Sequence, residues 1–231
     1  MTAAFTLPDR PWNGLTVLDA FCCQGGAGMG YWLAGFNVVG VDLDPQPRYP
    51  FPFIQGDAVA YIAEHGTEFG FVHASPPCQR YSKAQRIQGR EHPDLIAPTR
   101  EALESTGRPW VIENVEDARA ELRNPLVLCG TSFGLRTYRH RYFEAGGGFR
   151  ADEPRHRDHE ALNTKMGRPI AAGTFYHAVG NFSGVALARD DMQVPWMNRD
   201  GIRECIPPAY ARWVGEQYLA TARPAPLAVS R

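Results

Sequence analysis

The chain has 231 residues, with 24 lysines and arginines against 25 aspartates and glutamates, which gives a formal net charge of −1. This balance excludes a globally basic nucleic-acid-binding chain, although a local basic face is still available to bind a phosphate backbone. The length suits one sizeable α/β domain with a small appendage. No apolar run approaches the length that a membrane span needs.

The five cysteines form no CxxC pair, and residues 1–12 lack the charged-then-apolar pattern of a signal peptide. We therefore expect a cytoplasmic protein with reduced thiols. A zinc site would have to use Cys129, His140, His156 and His159, whose spacing matches no familiar ligand pattern. The sequence predicts no metal site and places these histidines on the surface.

Short apolar runs that end in an acid predict the first strands, at residues 15–19 and 37–42. Residues 58–66 predict a short helix, and residues 69–74 a buried strand. The further predicted elements are a helix over 31–36, a helix at 94–106, strands at 109–115, 126–130 and 139–144, and a helix at 206–222. This alternation predicts an α/β fold with a doubly wound, mostly parallel sheet and helices on both faces.

Residues 145–180 differ in composition from the rest of the chain. They are rich in Gly, His, Arg, Asp and Pro and show little apolar periodicity, which predicts a loop-rich lobe. We divide the chain into a catalytic core at 1–144, a reduced recognition lobe at 145–184, and a C-terminal segment at 185–231 that returns to the core.

A glycine-rich stretch, GGAGMG at 25–30, follows the first strand and suggests a backbone that approaches a ligand closely. No register fits GxGxxG, because Tyr31 stands where the third glycine would be needed, so a dinucleotide is disfavoured. Asp19, Asp42 and Asp57 fall at or just past strand ends, where doubly wound sheets bind ligands. An adenosyl group without phosphates fits this pattern, and the alternative is a glycine-rich turn with capping acids.

In the stretch ASPPCQRYSK at 74–83, a single cysteine, Cys78, directly follows two prolines. Because proline fixes its own φ and restricts the residue before it, the pair makes a stiff corner that positions Cys78. The alternative is a loop cysteine that follows a turn. Arg80 and Lys83 come directly after the corner and are candidates for lowering the pKa of a reactive thiol.

Five separated segments resemble the cytosine-C5 methyltransferase family, in that family's order. They are LDAFCCQGG (18–26), ASPPCQ (74–79), ENV (113–115), RHR (139–141) and IPPAYARWVGEQ (206–217). The resemblance implies the Rossmann-like fold of S-adenosylmethionine-dependent methyltransferases, S-adenosylmethionine as the methyl donor, and methylation of cytosine C5 in double-stranded DNA. A reduced recognition lobe makes the chain similar to compact, phage-like members, with a short target or loose specificity.

The family's residue roles carry over by motif position. The resemblance makes Cys78 the nucleophile that adds to C6 of the base, an example of covalent catalysis. Glu113 would handle N3 of the base with a raised pKa, Asn114 would order this region, and Arg139 and Arg141 would hold the carbonyl oxygen and a nearby phosphate. The target cytosine would have to be flipped out of the duplex.

Two further groups of residues are implied by the resemblance. The cofactor-binding group is Asp19, Phe21, Cys22, Gln24, Gly25, Gly26, Asp42, Leu43, Asp57, Ala58, Pro77, Gly215 and Glu216. The nucleic-acid-binding group is Gln79, Arg80, Ser82, Lys83, Arg155 and Arg157.

The match departs from the family at three positions. Cys23 and Gln24 replace a small pair and would add bulk beside the cofactor's tail, and Glu216 replaces an asparagine. These changes leave two alternatives open: a relative with an altered S-adenosylmethionine donor and a catalytically silent DNA-binding protein. A third alternative is a methyltransferase that acts on cytosine in RNA such as tRNA, because the tRNA-methylating branch of the family shares the Pro-Pro-Cys and Glu-Asn-Val motifs.

Overall fold

A single seven-stranded sheet forms the centre of the protein. The computed structural model describes residues 5–77, 94–156, 174–178 and 182–222. The strands are β1 (Thr16–Ala20), β2 (Asn37–Asp42), β3 (Phe53–Gln55), β4 (Phe71–Ala74), β5 (Trp110–Asn114), β6 (Leu126–Leu128) and β7 (Arg141–Gly146). Their order across the sheet is β3-β2-β1-β4-β5-β7-β6.

Five strands run in parallel, β1 to β5, and β7 runs antiparallel to both of its neighbours, β5 and β6. The helices are α1 (Gly26–Leu33), α2 (Ala58–His65), α3 (Ile96–Thr106), α4 (Val185–Met192), α5 (Arg199–Glu204) and α6 (Pro208–Ala222). Among the described residues, no helix is long and apolar enough to cross a lipid bilayer.

Helices cover both faces of the sheet, as the sequence predicts. Along β1, Val17 belongs to one buried cluster and Leu18 to the other, and neighbouring residues of β4 and β5 divide in the same way. This division follows from the period-2 alternation of a strand that is buried on both faces. One cluster packs beneath α1 and α6, and the other beneath α2 and α3.

Three elements were missed by the sequence prediction: β3, α4 and α5. Each is short, and β3 has only three residues, which are too few to show a period of two. The strand predicted at 139–144 begins at Arg141, so Arg139 lies before it. Phe149, Tyr176 and Phe182 are buried in the α1–α6 cluster; the division into core, lobe and C-terminal segment remains a prediction.

Two glycines of α1 serve helix packing, and the expectation that the glycine-rich stretch approaches a ligand stays a prediction. A Cβ at Gly26 would lie 2.4 Å from the Ile206 carbonyl oxygen, and a Cβ at Gly30 would lie 2.2 Å from that of Pro208. Both distances are far below van der Waals contact with backbone atoms. Only a glycine fits at these two positions while α6 packs this close to α1.

We expect Gly30→Ala to destabilise the protein by about 1–3 kcal/mol, the usual cost of overpacking. This cost outweighs the gain of up to about 1 kcal/mol that alanine brings in helix propensity. The matched control is Gly56→Ala, because a Cβ at Gly56 meets nothing within 4 Å. Urea unfolding of both variants checks the prediction, and equal midpoints would contradict it.

Candidate active site

The carboxyl ends of β1, β2, β4 and β5 meet at one edge of the sheet and bring most of the predicted site residues together. β7 contributes to the same edge although it is antiparallel, because its first residues pair with the last residues of β5. Asn114 pairs with Tyr142, so Arg141 lies one position further toward this edge. The result is that Arg141 faces Glu113, which the sequence separates from it by 28 positions.

The Glu113 carboxyl is buried, with 5% of the residue exposed. The Nε of Arg141 lies 2.8 Å from its Oε1, but the two groups are not aligned for a hydrogen bond. Oε1 therefore has no hydrogen-bond partner in the described part of the chain. Burial raises the pKa of Glu113, and the nearby Arg141, Arg139 and Ser75 oppose that rise. The carboxyl keeps its proton to a higher pH than an ordinary glutamate does.

Asn114 anchors the proline corner to β5. Its Nδ2 donates a hydrogen bond of 2.9 Å to the Pro76 carbonyl oxygen, and its Oδ1 accepts one of 2.9 Å from the Val115 N–H. The backbone of the corner is therefore fixed beside Glu113 up to Pro77. Cys78, the predicted nucleophile, lies outside the described residues, as do Gln79, Arg80, Ser82 and Lys83.

A chain of buried polar groups that the motifs did not indicate leads to Glu113. The Tyr31 hydroxyl lies 3.0 Å from Nδ1 of His73, whose Nε2 lies 2.8 Å from Oγ of Ser75, and Ser75 hydrogen-bonds the Glu113 carboxyl. Burial lowers the pKa of His73 to about 3, so the imidazole is neutral. When Glu113 is ionised, Ser75 donates to it, His73 donates to Ser75, and Tyr31 donates to His73.

The loop after β1 has an unusual backbone. Phe21, Cys23 and Gly25 all have positive φ values, of 60°, 44° and 81°. The Cys22 N–H donates to the Val41 carbonyl oxygen at 3.1 Å, which holds the buried Cys22 against the end of β2. Non-glycine residues with positive φ cost of order 1–3 kcal/mol each and concentrate at functional sites.

Two acids lie at the strand ends near this loop, and one of them, Asp42, is hydrogen-bonded to it. Asp42 accepts hydrogen bonds from the N–H of Cys23 at 2.9 Å and of Asp44 at 3.1 Å. Beside it, Leu43 is 69% exposed, which is unusual for a large apolar side chain. Asp19 is buried beneath the loop and accepts a 3.0 Å hydrogen bond from the Tyr49 hydroxyl. Burial raises the pKa of Asp19 to about 7.

Asp57 lies at the N-terminus of α2 and acts there as a helix cap. Its Oδ1 accepts hydrogen bonds from the N–H groups of Val59 at 2.8 Å and Ala60 at 3.0 Å. This is the capping alternative that the sequence left open. Ala58, the next residue, is buried at the start of the helix.

Gln24 is hydrogen-bonded to another part of the chain, and the contact with a cofactor that the sequence predicts for it stays a prediction. Its Nε2 donates to Oδ1 of Asn198 at 2.8 Å, and its Oε1 accepts the Asn198 N–H at 3.2 Å. Its backbone carbonyl accepts the indole N–H of Trp196 at 2.7 Å. Gln24 therefore ties the loop to a segment 174 residues away, and Cys23 contacts Glu204 of the same segment.

Gly215 and Glu216 do not reach the loop, so their predicted contact with a cofactor is not supported. A Cβ at Gly215 would lie 3.0 Å from Phe36 and 3.1 Å from Ala34, beyond the C-terminal end of α1 and opposite the loop. Glu216 accepts a 2.8 Å bond from Nε of Arg212 on the exposed side of α6. The contacts with the loop come instead from residues 196–206.

Arg139 is fully buried, and the structure does not support its predicted contact with a base. One terminal nitrogen donates to the carbonyl oxygens of Ala178 at 2.9 Å and Ile202 at 3.2 Å, and the other to that of Arg203. Burial, followed by the nearby Arg141, lowers the pKa of Arg139 to about 9. Its position in the interior, where it joins three segments, is that of a structural residue.

The predicted nucleic-acid residues in the lobe are only partly described. Arg155 is exposed in the segment that follows β7. Arg157 lies outside the described residues.

Two solved structures share this fold at low sequence identity. The S. pombe Dnmt2 methyltransferase matches with a TM-score of 0.53 and 12% identity, over 90% of this chain and 100% of that one. The Entamoeba histolytica methyltransferase EhMeth matches with a TM-score of 0.55 and 12% identity, over 91% and 99% of the two chains. These similarities confirm the predicted methyltransferase fold class. No protein-family model and no curated protein matches the chain.

Proposed function

We propose that this protein is an S-adenosylmethionine-dependent methyltransferase that modifies C5 of a flipped cytosine in double-stranded DNA. One observation carries the proposal: a buried glutamate, Glu113, with a raised pKa and an unsatisfied Oε1, lies beside Arg141 at the edge where the proline corner ends. A buried polar atom without a partner costs about 1–3 kcal/mol, and a hydrogen bond between this carboxyl and N3 of a bound base would satisfy it.

The residues at the ends of β1 and β2 fit an adenosyl group. The strained loop from Phe21 to Gly25 leaves backbone close to the sheet edge, Asp42 stands where a ribose diol would be bound, and the exposed Leu43 offers apolar surface to an adenine ring. When bound, S-adenosylmethionine supplies an electrophilic methyl group. Asp19 would support the loop from below and would not touch the cofactor.

The residues at the ends of β4 and β5 would handle the base. The Cys78 thiolate adds to C6, which makes C5 electron-rich enough to accept a methyl group. Protonated Glu113 donates a hydrogen bond to N3, where negative charge develops during this addition. Arg141, whose Nε lies 2.8 Å from Oε1 of Glu113, stands beside the same carboxyl and can donate to the carbonyl oxygen of the base. Loss of the C5 proton then expels Cys78.

The test uses duplex DNA that contains 5-fluorocytosine, together with S-adenosylmethionine. Fluorine blocks the final proton removal, so a working enzyme becomes covalently trapped on its substrate. We expect an adduct that resists denaturation and that disappears in Cys78→Ser. The matched control is Cys205→Ser, because the Cys205 thiol donates to the Ile206 carbonyl oxygen at 3.1 Å and a serine hydroxyl can do the same.

The substrate is assigned by running the same assay on tRNA that contains 5-fluorocytosine. An adduct on tRNA and none on any DNA duplex would replace DNA with RNA as the substrate. Cofactor binding without an adduct on either nucleic acid would overturn the proposed chemistry and favour the silent binding protein.

A further inference from the structure

Three metal-ligand side chains meet outside the proposed active site. One ligand atom each of Cys129, His140 and His156 lies within 4.8 Å of the others. The Nε2 atoms of the two histidines are 3.0 Å apart. Both histidines are half-buried and Cys129 is buried, so His140 and His156 are less exposed than the sequence predicts for surface residues. His159 lies outside the described residues.

The pairing of β6 with β7 brings the first two ligands together. Leu128 pairs with Arg141 in an antiparallel register. The next residue beyond this pair is Cys129 on one strand and His140 on the other, so the two lie opposite each other. Cys129 and His140 are 11 positions apart, a spacing that matches no zinc motif. The antiparallel pairing of β6 with β7 nevertheless brings the two residues together.

The third ligand is delivered by the segment that follows β7. Glu153 accepts a hydrogen bond of 2.9 Å from the N–H of Val127, which fixes this segment along the edge strand β6. Three residues later, the His156 ring lies 5.1 Å from the His140 ring, measured between centroids. The contact at Glu153 therefore holds the segment on the side that leads into the cluster.

We propose that Cys129, His140 and His156 bind a zinc ion. One thiolate and two imidazoles are ligands that zinc prefers, with Zn–N bonds of about 2.0–2.1 Å and a Zn–S bond of about 2.3 Å. In a tetrahedral site these bonds put neighbouring nitrogens about 3.3 Å apart. The two Nε2 atoms need to move by only a few tenths of an ångström, and a fourth position is left for another ligand.

The surroundings of the sulfur suit a thiolate ligand. The Thr131 hydroxyl donates to Sγ of Cys129 at 3.3 Å, and such outer donors stabilise metal-bound sulfur. Without metal, the thiol donates to the Tyr138 carbonyl oxygen at 2.7 Å. Zinc displaces that proton to solvent, and the sulfur turns from the carbonyl oxygen to the ion.

The ion would have a structural role next to the proposed active site. His140 stands between Arg139 and Arg141, so a zinc ion would clamp the start of β7 to β6 and to the segment that ends at His156. This clamp fixes the backbone from which Arg141 reaches Glu113. Metal binding itself does not depend on the proposed methyltransferase activity.

The test is metal binding by the full-length chain. We expect the purified protein to hold one zinc per chain, and the cobalt-substituted protein to show a thiolate-to-metal charge-transfer band and the d–d bands of a tetrahedral site. Loss of an outer-shell partner weakens metal binding by about 10–100-fold. His156→Ala removes a direct ligand, so we expect it to weaken zinc binding by more than that. Cys129→Ser should remove the charge-transfer band.

The matched control is His65→Ala, since His65 lies far along the chain and bonds Glu68 at 2.9 Å. This variant should bind zinc like the unaltered protein, and circular dichroism checks that all variants fold. The proposal is overturned if the unaltered chain binds zinc no more tightly than His156→Ala. It is equally overturned if the cobalt protein lacks the thiolate band, a result that needs no variant.

Discussion

Replacing Glu113 with glutamine is expected to lower kcat by about 10²–10⁴-fold, the usual contribution of a positioned acid or base. The amide has nearly the same shape, but it cannot deliver a proton to N3 as negative charge develops there. Affinity for S-adenosylmethionine should stay the same, because the loop from Phe21 to Gly25 that would bind it lies at the ends of other strands. Methyl transfer to a duplex, followed with a labelled donor, measures the change.

The same residue sets the expected pH dependence. Burial raises the pKa of Glu113, and the proposed reaction needs the protonated carboxyl. As far as Glu113 is concerned, activity should therefore be retained at low pH and should fall as the pH rises through the raised pKa of its carboxyl. In Glu113→Gln that alkaline fall should disappear. The matched control is Glu116→Gln, an exposed glutamate three positions on; a similar loss of kcat in this variant would refute a special role for Glu113.

Replacing Arg139 with methionine is expected to reduce the free energy of unfolding by about 3–5 kcal/mol. Methionine keeps much of the side-chain volume but leaves the carbonyl oxygens of Ala178, Ile202 and Arg203 without this donor. Each buried acceptor left unpaired costs about 1–3 kcal/mol, and relief from burying the charge returns part of that cost. Urea unfolding followed by circular dichroism measures the loss.

The matched control for this prediction is Arg212→Met, which removes an exposed guanidinium that pairs across α6 with Glu216. Exposed ion pairs contribute about 0–1 kcal/mol, so this variant should unfold close to the unaltered protein. If Arg139→Met unfolded at the same urea concentration as Arg212→Met, the structural role assigned to Arg139 would be wrong. If Arg139→Met lost activity but kept its full stability, the result would support the prediction that Arg139 contacts the base directly.

Local patterns in the sequence predicted the sheet and the edge at which the site lies. The strand at 37–42 was predicted with the bounds that the structure has, because its apolar run and closing acid are contained in six residues. Asp42 was placed at a strand end for the same reason, whereas Glu113 was identified by its motif within the strand predicted at 109–115. Where a parallel sheet forms, strand ends converge, so local information was sufficient.

Long-range contacts account for what the sequence did not predict. The partner of Gln24 is Asn198, and the carbonyl oxygens that bind Arg139 belong to segments 39 to 64 positions away. No local pattern shows such partners. The cluster of Cys129 and His140 depends on the register of one strand pair, which spacing alone did not reveal. His73 offered one usable signal, an ionisable residue inside a buried strand directly before a motif.

The contacts between the loop and residues 196–206 have a consequence for the order in which the protein matures. Gln24 and the first turn of α1 are complete only when Asn198, Ile206 and Pro208 are in place. During synthesis, Asn198, Ile206 and Pro208 leave the ribosome long after β1 and β2 do. The contacts that hold Gln24 and α1 in place are therefore among the last of the described fold to become possible.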